Sequence, residues 1–143
     1  MNKLRFGWMV ALLGFMALGC GDDKDDSDKE STTLEIIGEY DDNFGGEQII
    51  TADDWNGAVI AGFDNAKNAV FTQFPEDDMY NPSKFAKTLY TQPEGGSFYF
   101  CMVEFALDTL EEAEASEATA DDSDPETTGC GGEFAWTKAT AKE

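Results

Sequence analysis

The stretch from Phe85 to Phe105 reads FAKTLYTQPEGGSFYFCMVEF, and this stretch decides the fold class. Two runs of β-type residues, Phe85–Thr91 and Ser97–Phe105, flank the turn sequence Pro93-Glu94-Gly95-Gly96. Such runs on either side of a short segment that contains glycine predict a β-hairpin. The second run is apolar on both of its alternating faces, which is typical of a central strand that is covered on both sides.

The same texture of short β-type runs and turn residues extends over the chain from Leu34 onwards. Further runs are Leu34–Tyr40, Gln48–Thr51, Ala58–Phe63, Ala69–Phe74 and Phe134–Lys138. The segment Asp108–Glu111 carries the N-cap and N3 residues of a capping box, and Ala- and Glu-rich sequence follows it to about Ala118. We therefore expect a mainly β fold, an antiparallel meander of about seven strands in a small barrel or sandwich, with one short helix.

The first nineteen residues have the pattern of a secretory signal. Lys3 and Arg5 precede the apolar run Phe6–Leu18, which has thirteen residues. A membrane-spanning helix needs about 20 apolar residues, so this run is too short to be one and is typical of a signal-peptide core. A short uncleaved anchor is the alternative.

The sequence around Cys20 is similar to the lipobox of bacterial lipoproteins. Gly19 and Cys20 match that pattern, with Ala17 and Leu18 in the reverse of its commonest order. The resemblance implies cleavage before Cys20, acylation of Cys20 and attachment to a membrane through that lipid. Gly21 directly after the cysteine favours the outer membrane, with the protein facing the periplasm or the cell surface. The alternative is an ordinary signal peptide followed by a coincidental cysteine.

The chain divides into three parts. Residues 1–19 are the predicted signal peptide, residues 20–33 combine the lipidated cysteine with an acidic linker, and residues 34–141 form one β-rich domain. The linker has no apolar residue from Gly21 to Thr33, so it is expected to be disordered and extended by its like charges. Fully extended, its thirteen residues span about 45 Å.

Acidic residues dominate the charge. The chain has 30 acidic and nine basic residues, and removal of Lys3 and Arg5 with the signal leaves seven basic ones. The chain contains no histidine, and Arg5 is its only arginine. Such a surface repels phosphate groups, which argues against nucleic acid as a partner.

The three cysteines suggest one disulfide. With Cys20 assigned to the lipid, Cys101 and Cys130 remain, and outside the cytoplasm such a pair is expected to be oxidised. Free thiols are the alternative. A zinc site is disfavoured because the chain has no histidine and no further thiol.

Metal binding has two weak candidates among the acidic segments. Asp121, Asp122 and Asp124 offer the hard oxygen ligands that calcium prefers, although the spacing does not match an EF-hand loop. Asp41-Asp42-Asn43 before Gly45-Gly46 is the second candidate. In both cases the alternative is an ordinary solvated loop whose residues serve turn geometry, and we expect no obligatory cofactor.

Catalytic motifs are lacking. Without histidine the chain has no imidazole base, and no serine or cysteine lies in a nucleophile motif. A pair of carboxylates in the manner of a glycosidase is the remaining enzymatic option. The aromatic residues that recur from Tyr40 to Trp136 either fill the core of a small β domain or line a lipophilic or carbohydrate pocket.

Several short motifs resemble a domain of uncharacterised small lipoproteins of the myxobacterial type. They are Gly38-Glu39-Tyr40, Phe44-Gly45-Gly46, Phe63-Asp64-Asn65-Ala66, Asn81-Pro82, Cys101, Asp124-Pro125, Gly129-Cys130-Gly131-Gly132 and Phe134-Ala135-Trp136-Thr137. The similarity covers most of Leu34 to Thr140 and implies a secreted, anchored domain with a disulfide. It implies no activity and no functional residues.

These observations favour a lipid-anchored protein of the cell envelope that is a non-enzymatic binding or structural module. Its partners would be another envelope protein or a polysaccharide. The alternatives are a lipocalin-like carrier of a small ligand and a carboxylate-dependent hydrolase. The sequence does not indicate an oligomeric state.

Overall fold

The computed structural model describes residues 31–143, in which eight antiparallel strands form a closed barrel. Each strand pairs with the next one along the chain, and the last strand pairs with the first. The strands are β1 (Gly38–Asp42), β2 (Glu47–Ile50), β3 (Asp54–Trp55), β4 (Ala58–Asp64), β5 (Ala69–Gln73), β6 (Phe85–Tyr90), β7 (Ser97–Leu107) and β8 (Thr137–Ala141). The prediction of a mainly β meander is confirmed, and its open choice between barrel and sandwich is settled as a barrel.

Helical structure in the described part of the chain is short. A 3₁₀ turn, Asn65–Lys67, joins β4 to β5, and the α-helix α1 (Leu110–Ala115) follows β7. The capping box of α1 lies one residue later than predicted, because the Thr109 hydroxyl accepts the N–H of Glu112 at 3.2 Å. The Glu112 carboxylate in turn accepts the N–H of Thr109. No helix in residues 31–143 is long and apolar enough to cross a membrane.

One strand is additional to the sequence prediction, and two strands begin at least three residues later than predicted. The additional strand β3 has two residues, too few to show an alternating pattern. Strand β1 begins at Gly38 because only from there do its residues pair with β2, and Leu34–Ile37 precedes it as a turn. Strand β8 begins at Thr137, because the bridge between Cys130 and Phe134 holds the preceding residues in a loop.

Alternation along the strands divides their side chains between the inside and the outer wall. On β5, Val70 and Thr72 face inwards, whereas Ala69 and Phe71 face outwards and pack beneath α1. The inner cluster of buried residues consists of Leu34, Ile36, Tyr40, Ile50, Trp55, Val70, Tyr90, Phe98 and Ala139. The core therefore lies inside the barrel, and a smaller apolar cluster attaches the helix to its outer wall.

The plug segment, Ser31–Ile37, closes one end of the barrel. Its side chains Leu34 and Ile36 are buried in the inner cluster. The side-chain amide of Asn65 fixes the segment, because its nitrogen donates to a plug carbonyl at 2.8 Å. The oxygen of the same amide accepts the Tyr90 hydroxyl at 2.9 Å. The plug is thus hydrogen-bonded to the turn after β4 and packed into the core.

The connections of a meander alternate between the two ends of the barrel. The plug segment lies at the end that carries the β4–β5 and β6–β7 connections. The β1–β2, β3–β4, β5–β6 and β7–β8 connections lie at the opposite end. That opposite end, here called the open end, is not covered by the plug.

Cys101 and Cys130 lie at disulfide distance, with their Cα atoms 5.6 Å apart. Cys101 is buried on the outer face of β7, so the bridge fastens the long β7–β8 connection to the barrel wall. A crosslink that closes a segment of this length stabilises a fold by about 3–5 kcal/mol in the chain-entropy model. In the same connection, Gly129 has a φ of +99°, and a side chain there would collide with the carbonyl of Asp121.

Replacement of Ile36 by Ala tests the plug. Ile36 is fully buried, so Ile36→Ala is expected to lower the free energy of unfolding by about 2–4 kcal/mol in chemical denaturation. The neighbour Ile37 is 39% exposed, and Ile37→Ala is the matched control with an expected loss below about 1 kcal/mol. Equal losses in the two variants would show that the plug is not part of the core.

Candidate functional site

The open end of the barrel leads into a pocket of about 350 Å³. Inward-facing side chains of β2 to β7 form its walls, and the β5–β6 connection forms part of its rim. The lining residues are Gln48, Trp55, Asn56, Ala58, Thr72, Phe74, Pro75, Asp78, Thr88, Phe100 and Met102. Its volume lies within the range of about 300–1,000 Å³ that is usual for small-molecule sites.

Two aromatic rings of the pocket are held in fixed orientation. The indole N–H of Trp55 donates to the side-chain oxygen of Gln48 at 2.8 Å. The Trp55 ring meets Phe100 edge to face, with ring centroids 5.2 Å apart and an interplanar angle of 65°. A hydrogen bond and an aromatic contact thus fix one wall of the pocket.

A carboxylate supports that wall from behind. The side-chain nitrogen of Gln48 donates to Asp42 at 2.9 Å, which sets the direction in which its oxygen faces Trp55. The other oxygen of Asp42 accepts the backbone N–H groups of Gly46 and Phe44, at 2.8 and 2.9 Å. The N–H of Gly46 is the largest cause that holds the pKa of Asp42 below its ordinary 3.8, followed by the Gln48 amide.

The hairpin between β1 and β2 needs glycine for this arrangement. A Cβ atom on Gly46 would lie 2.5 Å from a carboxylate oxygen of Asp42. The weak calcium candidate Asp41-Asp42-Asn43 thus contains a turn in which the Asp42 carboxylate binds backbone N–H groups.

Thr72 and Thr88 carry the least satisfied polar groups of the pocket. Each residue is only 4% exposed, and neither hydroxyl takes part in a hydrogen bond within residues 31–143. No side-chain oxygen or nitrogen of the described residues is both inaccessible and unpartnered, so these two oxygens reach the pocket surface. Buried polar groups are normally hydrogen-bonded, and here the pocket is the side from which a partner can come.

The rim of the pocket includes the connection between β5 and β6. Asp78 lines the pocket, and one of its oxygens accepts the N–H groups of Asn81 at 2.6 Å and Tyr80 at 3.0 Å. The turn that these bonds create directs the side chains of Met79 and Tyr80 into solvent. Phe74 and Pro75 from the same connection complete this side of the rim.

The three predicted calcium candidates lie in the β7–β8 connection, on the outer wall. Asp121 accepts the N–H of Ser123 at 3.0 Å, and bonding to Ser123 lowers the pKa of Asp121. Asp124 accepts the Thr127 hydroxyl at 2.6 Å, and Asp122 is exposed. Within residues 31–143 no three carboxylates or thiols are grouped closely enough to hold a metal ion. Calcium binding at these positions stays a prediction.

The cysteines have no part in the pocket. Cys101 and Cys130 are joined on the outer wall, as described above. Cys20, the predicted lipidation site, lies outside the described residues together with the signal sequence and most of the linker. The structure therefore bears on the domain and not on its anchor.

The aromatic residues fall into three groups. Those inside the barrel are Tyr40, Trp55, Phe63, Tyr90, Phe98 and Phe100, of which Trp55 and Phe100 also line the pocket. Those on the outer wall beneath α1 or the β7–β8 connection include Phe71, Phe85, Tyr99 and Trp136. Those exposed to solvent are Phe44, Tyr80, Phe105 and Phe134. The sequence left open whether the aromatic residues fill the core or line a pocket. In the structure some of them fill the core and others line the pocket.

Sequence reasoning did not identify the two threonines. Their signal was present, because Thr72 and Thr88 occupy inward positions between apolar neighbours on the same face, such as Val70 and Tyr90. A polar residue at an inward position of a strand marks either a hydrogen-bonded core group or a ligand site. Whether such a residue is a hydrogen-bonded core group or part of a ligand site depends on which groups the neighbouring strands place beside it, and therefore on the fold.

A second groove lies on the outer wall, between the barrel and the segment after α1. It measures about 400 Å³ and includes Lys67 and Lys87. Lys67 pairs with Asp64 at 3.1 Å, and Lys87 donates to the carbonyl oxygens of Ser116 and Ala118. Because both amines are already engaged by the protein, the groove is a weaker candidate than the pocket.

The protonation of Asp42 provides a test of the hairpin network. Since the folded-state pKa lies below 3.8, this carboxylate stabilises the fold above that pH, and the contribution is lost as the pH falls through the lowered value. Asp42→Asn is therefore expected to lower Tm most at neutral pH, with a difference from the wild type that shrinks below about pH 3.8. Thermal denaturation between pH 2 and pH 7 measures this difference.

The control for that experiment is Asp53→Asn. Asp53 is exposed, and its carboxylate makes no hydrogen bond or ion pair within residues 31–143. Its replacement is expected to change Tm little at any pH. A difference between wild type and Asp42→Asn that is the same at every pH would contradict the proposed role of the Asp42 charge.

No family model matches the chain, and neither a curated protein nor a solved structure is significantly similar to it. The resemblance to uncharacterised lipoproteins of the myxobacterial type therefore stays a prediction. What the domain binds has to be inferred from the pocket itself, from its volume, its two threonine hydroxyls and the aromatic wall that Trp55 and Phe100 form.

Proposed function

We propose that the protein is a non-enzymatic binding module of the cell envelope that takes a small, mostly apolar ligand into the open end of its barrel. The observation that carries this proposal is the pair of hydroxyls of Thr72 and Thr88, which reach the pocket surface and have no protein partner in residues 31–143. A ligand that supplies hydrogen bonds to them would satisfy both groups. The apolar walls would bind its remaining atoms.

Pre-organisation of the walls supports a binding role. Trp55 is fixed by Gln48 and Phe100, so little side-chain freedom is left to lose when a ligand enters. The opposite end is closed by the plug and filled by packed aromatic side chains such as Phe98. The barrel is therefore closed and packed at one end and open to a pocket at the other, the architecture that small barrels use to hold one ligand.

A hydrolase is less well supported. Glycosidases use two carboxyl groups about 5–9.5 Å apart that both face the substrate. Among the lining residues Asp78 is the one carboxylate, and Asp42 lies behind Gln48 and is engaged by backbone N–H groups. The geometry favours binding over acid–base chemistry.

Contact with another envelope component is a second candidate. Two connections at the open end each expose an aromatic side chain, namely Phe44 and Tyr80, and Phe134 is exposed in the long β7–β8 connection. Exposed aromatic residues are enriched where proteins meet protein or carbohydrate partners. Such a contact would place the pocket next to the partner.

Lipidation of Cys20 would attach the domain to the membrane from the end that the plug closes. The described chain begins at Ser31, in the plug, at the end opposite the pocket. The eleven Cα–Cα steps from Cys20 to Ser31 span at most about 40 Å. An anchor at Cys20 would then attach the domain to the membrane through the end that the plug closes.

Blocking the pocket tests the binding proposal. Ala58 lines the pocket, and Ala58→Phe is expected to weaken binding of the neutral probe N-phenyl-1-naphthylamine at least about tenfold, because the larger side chain occupies the ligand's volume. Fluorescence enhancement of the probe measures its affinity. Thr88→Val, which removes one hydroxyl, is expected to weaken binding about three- to tenfold.

Val59 offers the matched control. It follows Ala58 on the same strand but faces solvent, so Val59→Phe is expected to leave the affinity of the probe unchanged. Unaltered affinity in Ala58→Phe would contradict the proposed function.

Replacement of Cys20 tests the anchor. In a bacterial host, Cys20→Ser is expected to move the protein from the membrane fraction to the soluble fraction and to abolish incorporation of labelled palmitate. Ser27→Ala in the same segment is the control and should retain both properties. A Cys20→Ser protein that still carries palmitate would disprove the lipobox interpretation.

A further inference from the structure

We infer that the ligand of the barrel pocket is a small organic cation, a protonated amine or quaternary ammonium group attached to an apolar or aromatic body. The inference rests on the proposed function, since it assigns a chemical class to the same pocket. Three features of the described residues lead to it: an uncompensated carboxylate at the rim, aromatic side chains in the walls, and lysines that are held elsewhere.

Asp78 is the one charged residue among those that line the pocket. One of its oxygens is used by the N–H groups of Tyr80 and Asn81. The other oxygen has neither a hydrogen bond nor an ion pair within residues 31–143. Lys84, in the connection that carries Asp78, is paired with Asp108 instead. A ligand therefore meets a negative charge that the protein does not neutralise.

The walls favour a positive charge as well. Trp55, Phe74 and Phe100 present aromatic surface to the pocket. The face of an aromatic ring carries negative electrostatic potential, which attracts ammonium groups and repels carboxylates. Met102 adds a polarisable thioether, which adapts to ligands of different shape.

The threonine hydroxyls are compatible with such a ligand. A hydroxyl oxygen has two lone pairs and accepts hydrogen bonds from an N–H group, whereas a backbone N–H could only donate. Thr72 and Thr88 thus offer acceptors to an ammonium group, and in residues 31–143 no arginine or lysine lines the pocket to compete for them.

Long-range electrostatics act in the same direction. The chain carries a formal net charge of −21, which raises the local concentration of cations and lowers that of anions. Asp42, which is separated from the pocket by the Gln48 side chain, adds a second carboxylate close to the open end. The negative charge of the chain as a whole and the negative charge at the pocket rim therefore both favour a positively charged ligand.

Three probes that share a phenyl group and differ in charge test the inference. They are 2-phenylethylamine, 2-phenylethanol and 3-phenylpropanoate, titrated into the purified full chain at pH 7 by calorimetry. We expect the amine to bind about fivefold or more tighter than the alcohol, and the carboxylate to bind weakest. An increase of salt from 50 to 500 mM should weaken the amine and leave the alcohol unchanged.

Asp78→Asn separates the rim charge from the rest of the pocket. Asn keeps a side-chain oxygen for the turn, so the fold of the rim is retained, and the amine should lose most of its advantage over the alcohol. Asp77→Asn, an exposed neighbour outside the lining, is the matched control and should bind all three probes like the wild type.

The outcomes distinguish the two levels of the proposal. An alcohol that binds as tightly as the amine, or a carboxylate that binds tightest, overturns the cation inference and leaves the binding function in place. Failure of all three probes and of N-phenyl-1-naphthylamine overturns the proposed function itself, and the inference with it. An advantage of the amine that survives in Asp78→Asn and in high salt overturns the role given to the rim carboxylate.

Discussion

The pairing of β8 with β1 is the constraint on which the rest of this structure depends. Hydrogen bonds in the register Tyr40–Ala141, Asp41–Thr140 and Asp42–Ala139 turn an open meander into a closed barrel. Closure removes both sheet edges and creates an interior. Along every strand, alternate side chains therefore point either into the barrel or to its outer wall. The small side chain of Ala139 is fully buried at this seam, where it leaves room for the large rings that face it.

Side-chain size along the inward faces explains why one half of the barrel is solid and the other holds a pocket. At the closed end, Phe98 packs against Tyr40 and Tyr90, with ring centroids 5.0 and 6.4 Å away. On two strands the inward residues become smaller towards the open end, from Tyr90 to Thr88 on β6 and from Ile60 to Ala58 on β4, whereas Phe100 and Met102 on β7 stay large. A barrel of eight strands is just wide enough for side chains to fill, so this decrease in volume becomes a cavity. The pocket is therefore encoded in the sequence by small inward residues on β4 and β6, although no motif marks it.

The sequence alone predicted the class of the fold and most of its strands, because their alternation and turn residues are local signals. It also predicted the pairing of Cys101 with Cys130. It could not predict β3, whose two residues are paired only because β2 and β4 lie on either side. Nor could it predict the pocket, since a bulge between Ile60 and Gly62 shifts the register of β4 and so decides which of its residues face inwards. Long-range register, and not local propensity, is the missing information in both cases.

The acidic and basic residues are distributed unevenly between the outer surface and the open end of the barrel. Within residues 31–143, four lysines form ion pairs on the outer surface: Lys67, Lys84, Lys138 and Lys142. Exposed pairs of this kind stabilise a fold by less than about 1 kcal/mol each, so the excess of acid is not explained by stability. Most of the carboxylates lie on that solvated surface, where water and salt screen them beyond about 8–10 Å. Asp78 and Asp42 differ, because Asp78 lines the pocket and Asp42 binds the Gln48 side chain that holds Trp55. The same composition that keeps the surface solvated thus also places a carboxylate, Asp78, at the rim of the apolar pocket.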